Sequence, residues 1–166
     1  EEPNIFAVKD FIYDQRGRLL KESLPYFSGG PAKTAPTSTA SLYTTTLYDP
    51  LDRPTFVITS VGQAKYDYEG WKKTITDPNQ KIKHLTYDAY NNLERVDEIN
   101  NNVTYTTLYN YNYLKNLIKL TDTQGNTRNF SYDNLGRRLV AEDLHPPGGF
   151  SVLSYTYTYD DTGNLI

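Results

Sequence analysis

Tyr132-Asp133-Asn134-Leu135-Gly136-Arg137-Arg138-Leu139 is the stretch that decides the fold, because the chain returns to it five more times. Related runs are Tyr13-Asp14-Gln15-Arg16-Gly17-Arg18-Leu19, Tyr48-Asp49-Pro50-Leu51-Asp52-Arg53 and Tyr87-Asp88-Ala89-Tyr90-Asn91-Asn92-Leu93. The other two are Tyr111-Asn112-Tyr113-Leu114-Lys115-Asn116-Leu117 and Tyr159-Asp160-Asp161-Thr162-Gly163-Asn164-Leu165. A recurring unit of this kind fixes the architecture before any single residue is read. Asp at the first position accepts from backbone N–H groups further along, which makes it a turn residue. The fourth position holds Gly17, Asp52, Asn91, Lys115, Gly136 or Gly163. Gly, Asn and Asp tolerate positive φ there, and Lys115 is the misfit. The expected turn residues are Asp14, Gly17, Asp49, Asp88, Asn91, Asp133, Gly136, Asp160 and Gly163.

A shorter variant at Tyr66 through Gly70 brings the spacing to about 20 residues, room for two strands and two turns. Second turns are expected at Thr76–Gln80, Asp97–Asn102 and Thr121–Asn126. Between turns the residues alternate: Tyr155, Tyr157 and Tyr159 on one face, Thr156 and Thr158 on the other. Val103, Tyr105, Thr107, Tyr109 and Tyr111 form a second such row. No long window carries a helical apolar stripe. The expected fold is all-β: antiparallel hairpin repeats forming a curved open sheet of roughly 12 to 14 strands with almost no helix.

Composition bounds the core. Leu, Ile, Val and Phe make up 38 of 166 residues, about 23%, little above the roughly 20% at which chains stop folding. Sixteen tyrosines must supply much of the burial, so the sheet should be thin. Net charge is −3 and there is no Cys, which argues against nucleic acid as a partner and leaves no thiolate metal site. No membrane span is visible. Pro25 to Ser41 is rich in Pro, Gly, Ala, Ser and Thr and reads as a loop insertion (25–41) in a single array over 1–166. The chain starts without Met and ends within a unit, so it reads as a fragment of a larger protein.

The Tyr-Asp unit, best matched at 132–139 and 159–165, resembles the YD repeat of the Rhs family over about 140 of the residues. That family takes in bacterial Rhs toxins, shell-forming components of insecticidal toxin complexes, wall-associated bacterial proteins and teneurins. The resemblance implies a partial YD-repeat shell in a secreted or cell-surface bacterial protein. Its implied partners are the neighbouring repeats of the parent chain and an enclosed toxin domain. The family's self-cleaving protease core and toxin domain have no counterpart in this sequence.

No catalytic constellation stands out, and no cofactor or metal is expected. His84 and His145 are the only histidines, and no nucleophile elbow accompanies them. The aspartates fall one per hairpin, which suits turn capping better than a converging Ca²⁺ site. Tyr105, Tyr109 and Tyr111, or Tyr155 and Tyr157, are the candidate glycan-binding rings; the competing reading is a cross-strand ladder. A non-catalytic scaffold is therefore expected, with a carbohydrate- or cell-surface-binding module as the alternative. The uncharged Tyr155–Tyr159 run and the Phe6–Tyr13 region are expected to be open edges prone to edge-to-edge self-association.

Overall fold

The computed structural model describes residues 5–29, 43–149 and 153–166. All regular structure among them is β, in fifteen strands. Thirteen form one antiparallel open sheet in the order β15-β14-β13-β12-β11-β10-β9-β8-β7-β6-β5-β3-β2, and β1 pairs with β4 apart from it. Among the described residues no helix is long and apolar enough to cross a membrane. The chain divides into two compact units, Glu1–Asp67 with Thr74–Lys81 and Tyr68–Lys73 with Ile82–Ile166.

In the first unit β1 (Ile5–Val8), β2 (Phe11–Tyr13), β3 (Leu19–Ser23) and β4 (Tyr26–Gly29) make one long hairpin that breaks midway. Phe11 faces Glu22 in the large sheet, whereas Val8 faces Tyr26 in the small one. The break falls at Asp10 on one strand and Leu24-Pro25 on the other, where proline has no N–H to give the ladder. Asp10 stitches the corner: its N–H donates to the Ser23 hydroxyl, and its carboxylate accepts from the Tyr26 hydroxyl at 2.9 Å. Residues 26–29 are thus strand, where composition suggested loop, and 30–42 lie outside the described residues. Phe6 is likewise paired, to Ser28, so only β2 forms that edge of the large sheet. Then follow β5 (Tyr43–Tyr48), β6 (Pro54–Thr59), β7 (Gly62–Glu69) and β8 (Lys72–Thr76). Gly62 is required by close approach: a Cβ there would stand 2.7 Å from Pro78 Cβ.

The Tyr66–Gly70 variant is not a Tyr-Asp turn. Tyr66 and Asp67 lie inside β7, Asp67 pairs with Lys65 at 2.9 Å, and a tight Gly70-Trp71 connection follows. With two residues in the connection there is no place for an aspartate to cap.

The second unit continues with β9 (Ile82–Tyr87), β10 (Leu93–Asn100), β11 (Val103–Tyr111) and β12 (Leu117–Thr121). It ends with β13 (Thr127–Tyr132), β14 (Arg138–Glu142) and β15 (Ser154–Thr156). The turn expected across Asp97–Asn102 shrinks to Asn101-Asn102, both at positive φ. That is the two-residue hairpin turn whose twist matches its strands, so Asp97 remains in β10. There its carboxylate takes Arg95 Nε at 2.8 Å and the Thr106 hydroxyl at 2.6 Å.

Burial is sparse. Val96 and Ala141 are the buried hydrophobic residues among those described. Strands with one shielded face alternate half-buried and exposed residues, as β7 does along its whole length.

Candidate functional site: the Tyr-Asp turn rim

Successive antiparallel strands return the chain to the same rim of the sheet at every second turn. Within each unit the Tyr-Asp turns therefore share one rim. All are built alike. The first residue's N–H donates to the carbonyl four residues on, and its carbonyl accepts from the N–H three residues on; Asp133 with Arg137 and Gly136 shows this at 2.9 and 3.0 Å. Its Oδ1 takes two more N–H groups, from Leu135 at 2.9 Å and Arg137 at 2.8 Å. Asp14, Asp49, Asp88, Asn112 and Asp160 repeat the pattern. Asp77 and Asp122, on the opposite rim, do so without a preceding tyrosine. The fourth residue is always at positive φ: Gly17, Asp52, Asn91, Lys115, Gly136 and Gly163, and equally Gln80 and Gly125.

Oδ2 is claimed by the fifth side chain. Arg18, Arg53 and Arg137 present Nε to it at 2.6–2.7 Å. Asn92, Asn126 and Asn164 present an amide at 2.8–3.0 Å. These donors hold the carboxylates ionised. Asp160, bonded by the Thr162 hydroxyl and the Asn164 side chain, is lowered to about 2. Asp88 and Asp122 are lowered, chiefly by the amides of Asn92 and Asn126. Asn112 lacks a second oxygen, and Asn116 Nδ2 is buried with no partner.

On this rim three turns are locked to the one before them. The Tyr48 hydroxyl donates to Leu19 O at 2.9 Å, Tyr132 to Leu117 O at 2.9 Å, and Tyr159 to Arg138 O at 2.8 Å. Each acceptor lies five residues after the Asp or Asn of the preceding turn. Arginine closes the lock in return. Arg18 stacks over Tyr48 at 4.8 Å and donates to Asp49 O, and Arg137 stacks over Tyr159 at 4.7 Å and reaches Asp160 O. A tyrosine thus serves two purposes, a ring for the guanidinium and a hydroxyl for the backbone.

Between the turns at Asp88 and Asn112 a cleft of about 560 Å³ opens on this rim. Tyr109 and Tyr111 line it, with Tyr90, Tyr113, Glu94 and Lys115. Burial raises the Tyr111 hydroxyl's pKa. Tyr105 is not in the cleft: it pairs with Glu98 towards the opposite rim. Tyr155 lies on the edge strand, about half exposed, and Tyr157 follows it with its N–H on Leu139 O. Of the candidate glycan-binding rings, Tyr109 and Tyr111 thus share the cleft, Tyr105 lies towards the opposite rim, and Tyr155 and Tyr157 lie at the sheet's edge. Tyr90 and Tyr113, which are 72% and 92% exposed, occupy variable turn positions that sequence reasoning passed over. Their signal was an aromatic at a turn tip, where packing does not call for one.

Residues 111–149 match the RHS Repeat family model. No curated protein matches the chain. Among solved structures it is similar to TcdB2-TccC3-TEV, at 18% identity and TM-score 0.70 over 94% of this chain. It is also similar to TcdB2-TccC3 without its hypervariable C-terminal region, at 18% identity and TM-score 0.63 over the same share. A third is the Photorhabdus luminescens Tc holotoxin pore carrying a TccC3 mutation, at 16% identity and TM-score 0.54, again over 94%. The chain spans 9–10% of the length of these chains. Residues 111–149 thus carry the RHS repeat, and over 94% of its length the chain shares the fold of TcdB2-TccC3.

Proposed function

We propose that this chain is a non-catalytic scaffold segment of a large secreted or cell-surface bacterial RHS-repeat protein. Its neighbours would be further repeats of the parent chain, and its task to help enclose or display a toxin or effector domain. The observation that carries this reading is the rim lock. Tyrosine hydroxyls and arginine guanidiniums are spent on joining one turn to the next, which is what a wall requires and a catalyst does not. The likeness to TcdB2-TccC3 over 94% of the chain supports it.

One observation favours a second role, recognition of a glycan at a cell surface. The cleft beside Tyr109 and Tyr111 offers ring faces with Asn110 and Glu94 beside them, the pairing of flat apolar surface and hydroxyl acceptors that sugars use. A glycan array on the purified chain, run beside Tyr109→Ala/Tyr111→Ala, separates the two. The scaffold reading expects no specific hit. A hit that disappears in the double variant transfers the function to the cleft.

A further inference from the structure

We infer that the β13–β14 ladder ends in a protonation latch: the imidazole of His145 must carry both its protons to hold the Leu144–Gly149 segment against β13. The ladder runs from Tyr132 to Phe130 opposite Arg138 to Ala141, then breaks. It resumes at one bridge, where Thr127 N donates to His145 O at 2.8 Å and His145 N to Thr127 O at 3.0 Å. Two residues of β13 face three of the partner across the gap, so main-chain pairing fails there. Side chains fill it. Arg128 Nε donates to Glu142 O at 2.5 Å, and Asn129 Nδ2 to Glu142 Oε2 at 2.5 Å.

His145 closes the gap. Its Nε2 lies 3.1 Å from Glu142 Oε2 and its Nδ1 3.1 Å from Pro146 O. Both oxygens are pure acceptors, and a neutral imidazole has one N–H. Either neutral tautomer leaves a ring lone pair pointing at an oxygen, so only the imidazolium satisfies this geometry. The residue is 8% exposed and Thr127 9%, which leaves water little access to replace a lost bond. Pro146 and Pro147 have no N–H of their own, so the segment has few other donors with which to anchor itself. Pro147 packs on the turn at Gly125, where its Cγ is 3.3 Å from the position a Cβ would take.

The charges around the ring come from each neighbouring element. Glu142 of β14 is in contact. Arg128 of β13 is turned to the Glu142 carbonyl. Asp122, in the turn under Pro147, is held by Asn126. Asp143 is next in the chain. The Glu142 bond and then the Pro146 carbonyl raise the His145 pKa above 6.5; the His145 and Asn129 bonds lower Glu142 below 4.5. A raised base contributes below its unfolded value and loses that contribution as pH rises through its folded one. A lowered acid contributes above its unfolded value and is lost as pH falls through its folded one. The latch is therefore fully closed between about pH 4.5 and 6.5 and opens on the alkaline side. Opening frees the N–H and C=O of Thr127 on β13, two groups able to pair with another strand.

With two histidines in the chain, proton NMR reads the ring directly, and His84→Gln assigns the resonances. The His145 ring should titrate with a midpoint above 6.5. Protection of the Thr127 amide from exchange, corrected for intrinsic rate, should fall by up to about tenfold per pH unit between 6.5 and that midpoint and level off above it. Glu142→Gln should bring the midpoint down while the circular dichroism stays that of the wild type. A wild-type midpoint at or below 6.5, a midpoint unmoved by Glu142→Gln, or Thr127 protection indifferent to the ring's titration would each overturn the latch.

Discussion

At the scale of the residue, each turn asks for an acceptor with two oxygens at its first position and a residue content with positive φ at its fourth. Asn112 and Lys115 break both requests in one turn, and the result is visible in the unpartnered Asn116 amide. Asn112→Asp supplies the missing oxygen and should stabilise the chain by about 1 kcal/mol near neutral pH. Urea midpoints at equal slope measure it, and a loss would show that the Asn116 amide is satisfied in some other way. Gly136→Val places a β-branched residue at φ +79° and should cost about 2 kcal/mol or more. Lys115→Val should cost less, because a side chain already bears part of that strain at φ 62°. Equal losses would contradict this reading of the fourth position. Lys115 also shows where the sequence was legible and where it was not. Its place in the period put it at the turn's fourth position, but residue type argued against the φ it adopts. Register with its neighbours overrides its own preference.

At the scale of the element, the hairpin and its rim are the working unit. The all-β, nearly helix-free sheet was legible because the turn recurs and the intervening residues alternate. The Asp97 and Tyr66 turns were misplaced because composition marks a turn's neighbourhood, whereas strand pairing decides its length. The cleft was not legible, since its walls come from two turns more than twenty residues apart. The lock invites a direct test. Tyr159→Phe keeps the ring under Arg137 and removes the bond to Arg138 O, so it should cost about 1 kcal/mol. A double-mutant cycle pairing Arg137→Gln with Tyr159→Leu should return a coupling of about 0.5–1 kcal/mol; zero coupling would mean that the stacked pair holds nothing. Edge strand β15 gives a further test. Thr158 is engaged by Ile166 through N–H to carbonyl and hydroxyl to carbonyl bonds, which leaves Ser154–Tyr157 as the open stretch. Light scattering should show concentration-dependent association that Thr156→Lys reduces, and a strictly monomeric wild type would refute it.

At the scale of the whole molecule, the turn aspartates make the chain an acid-sensitive array. The folded pKa values of Asp14, Asp49, Asp88, Asp122, Asp133 and Asp160 lie below the ordinary 3.8, down to about 2 at Asp160. Stability is thus present above 3.8 and should drain away as pH falls through those values. Urea midpoints should decline steeply between about pH 4 and 2. Asp160→Asn, which keeps an acceptor but cannot titrate, should make the most acidic part of that decline shallower. A midpoint unchanged down to pH 2 would mean that the carboxylates are not what closes the turns. The thin core has a calorimetric counterpart. Only Val96 and Ala141 among the described hydrophobic residues are buried, so unfolding wets less new apolar surface than in a domain with a thick core. The heat-capacity increment per residue should fall well below the usual figure of about 12–15 cal/mol/K. The stability curve is then broad and shallow, and cooling or warming by tens of degrees changes the free energy less than a single lost turn.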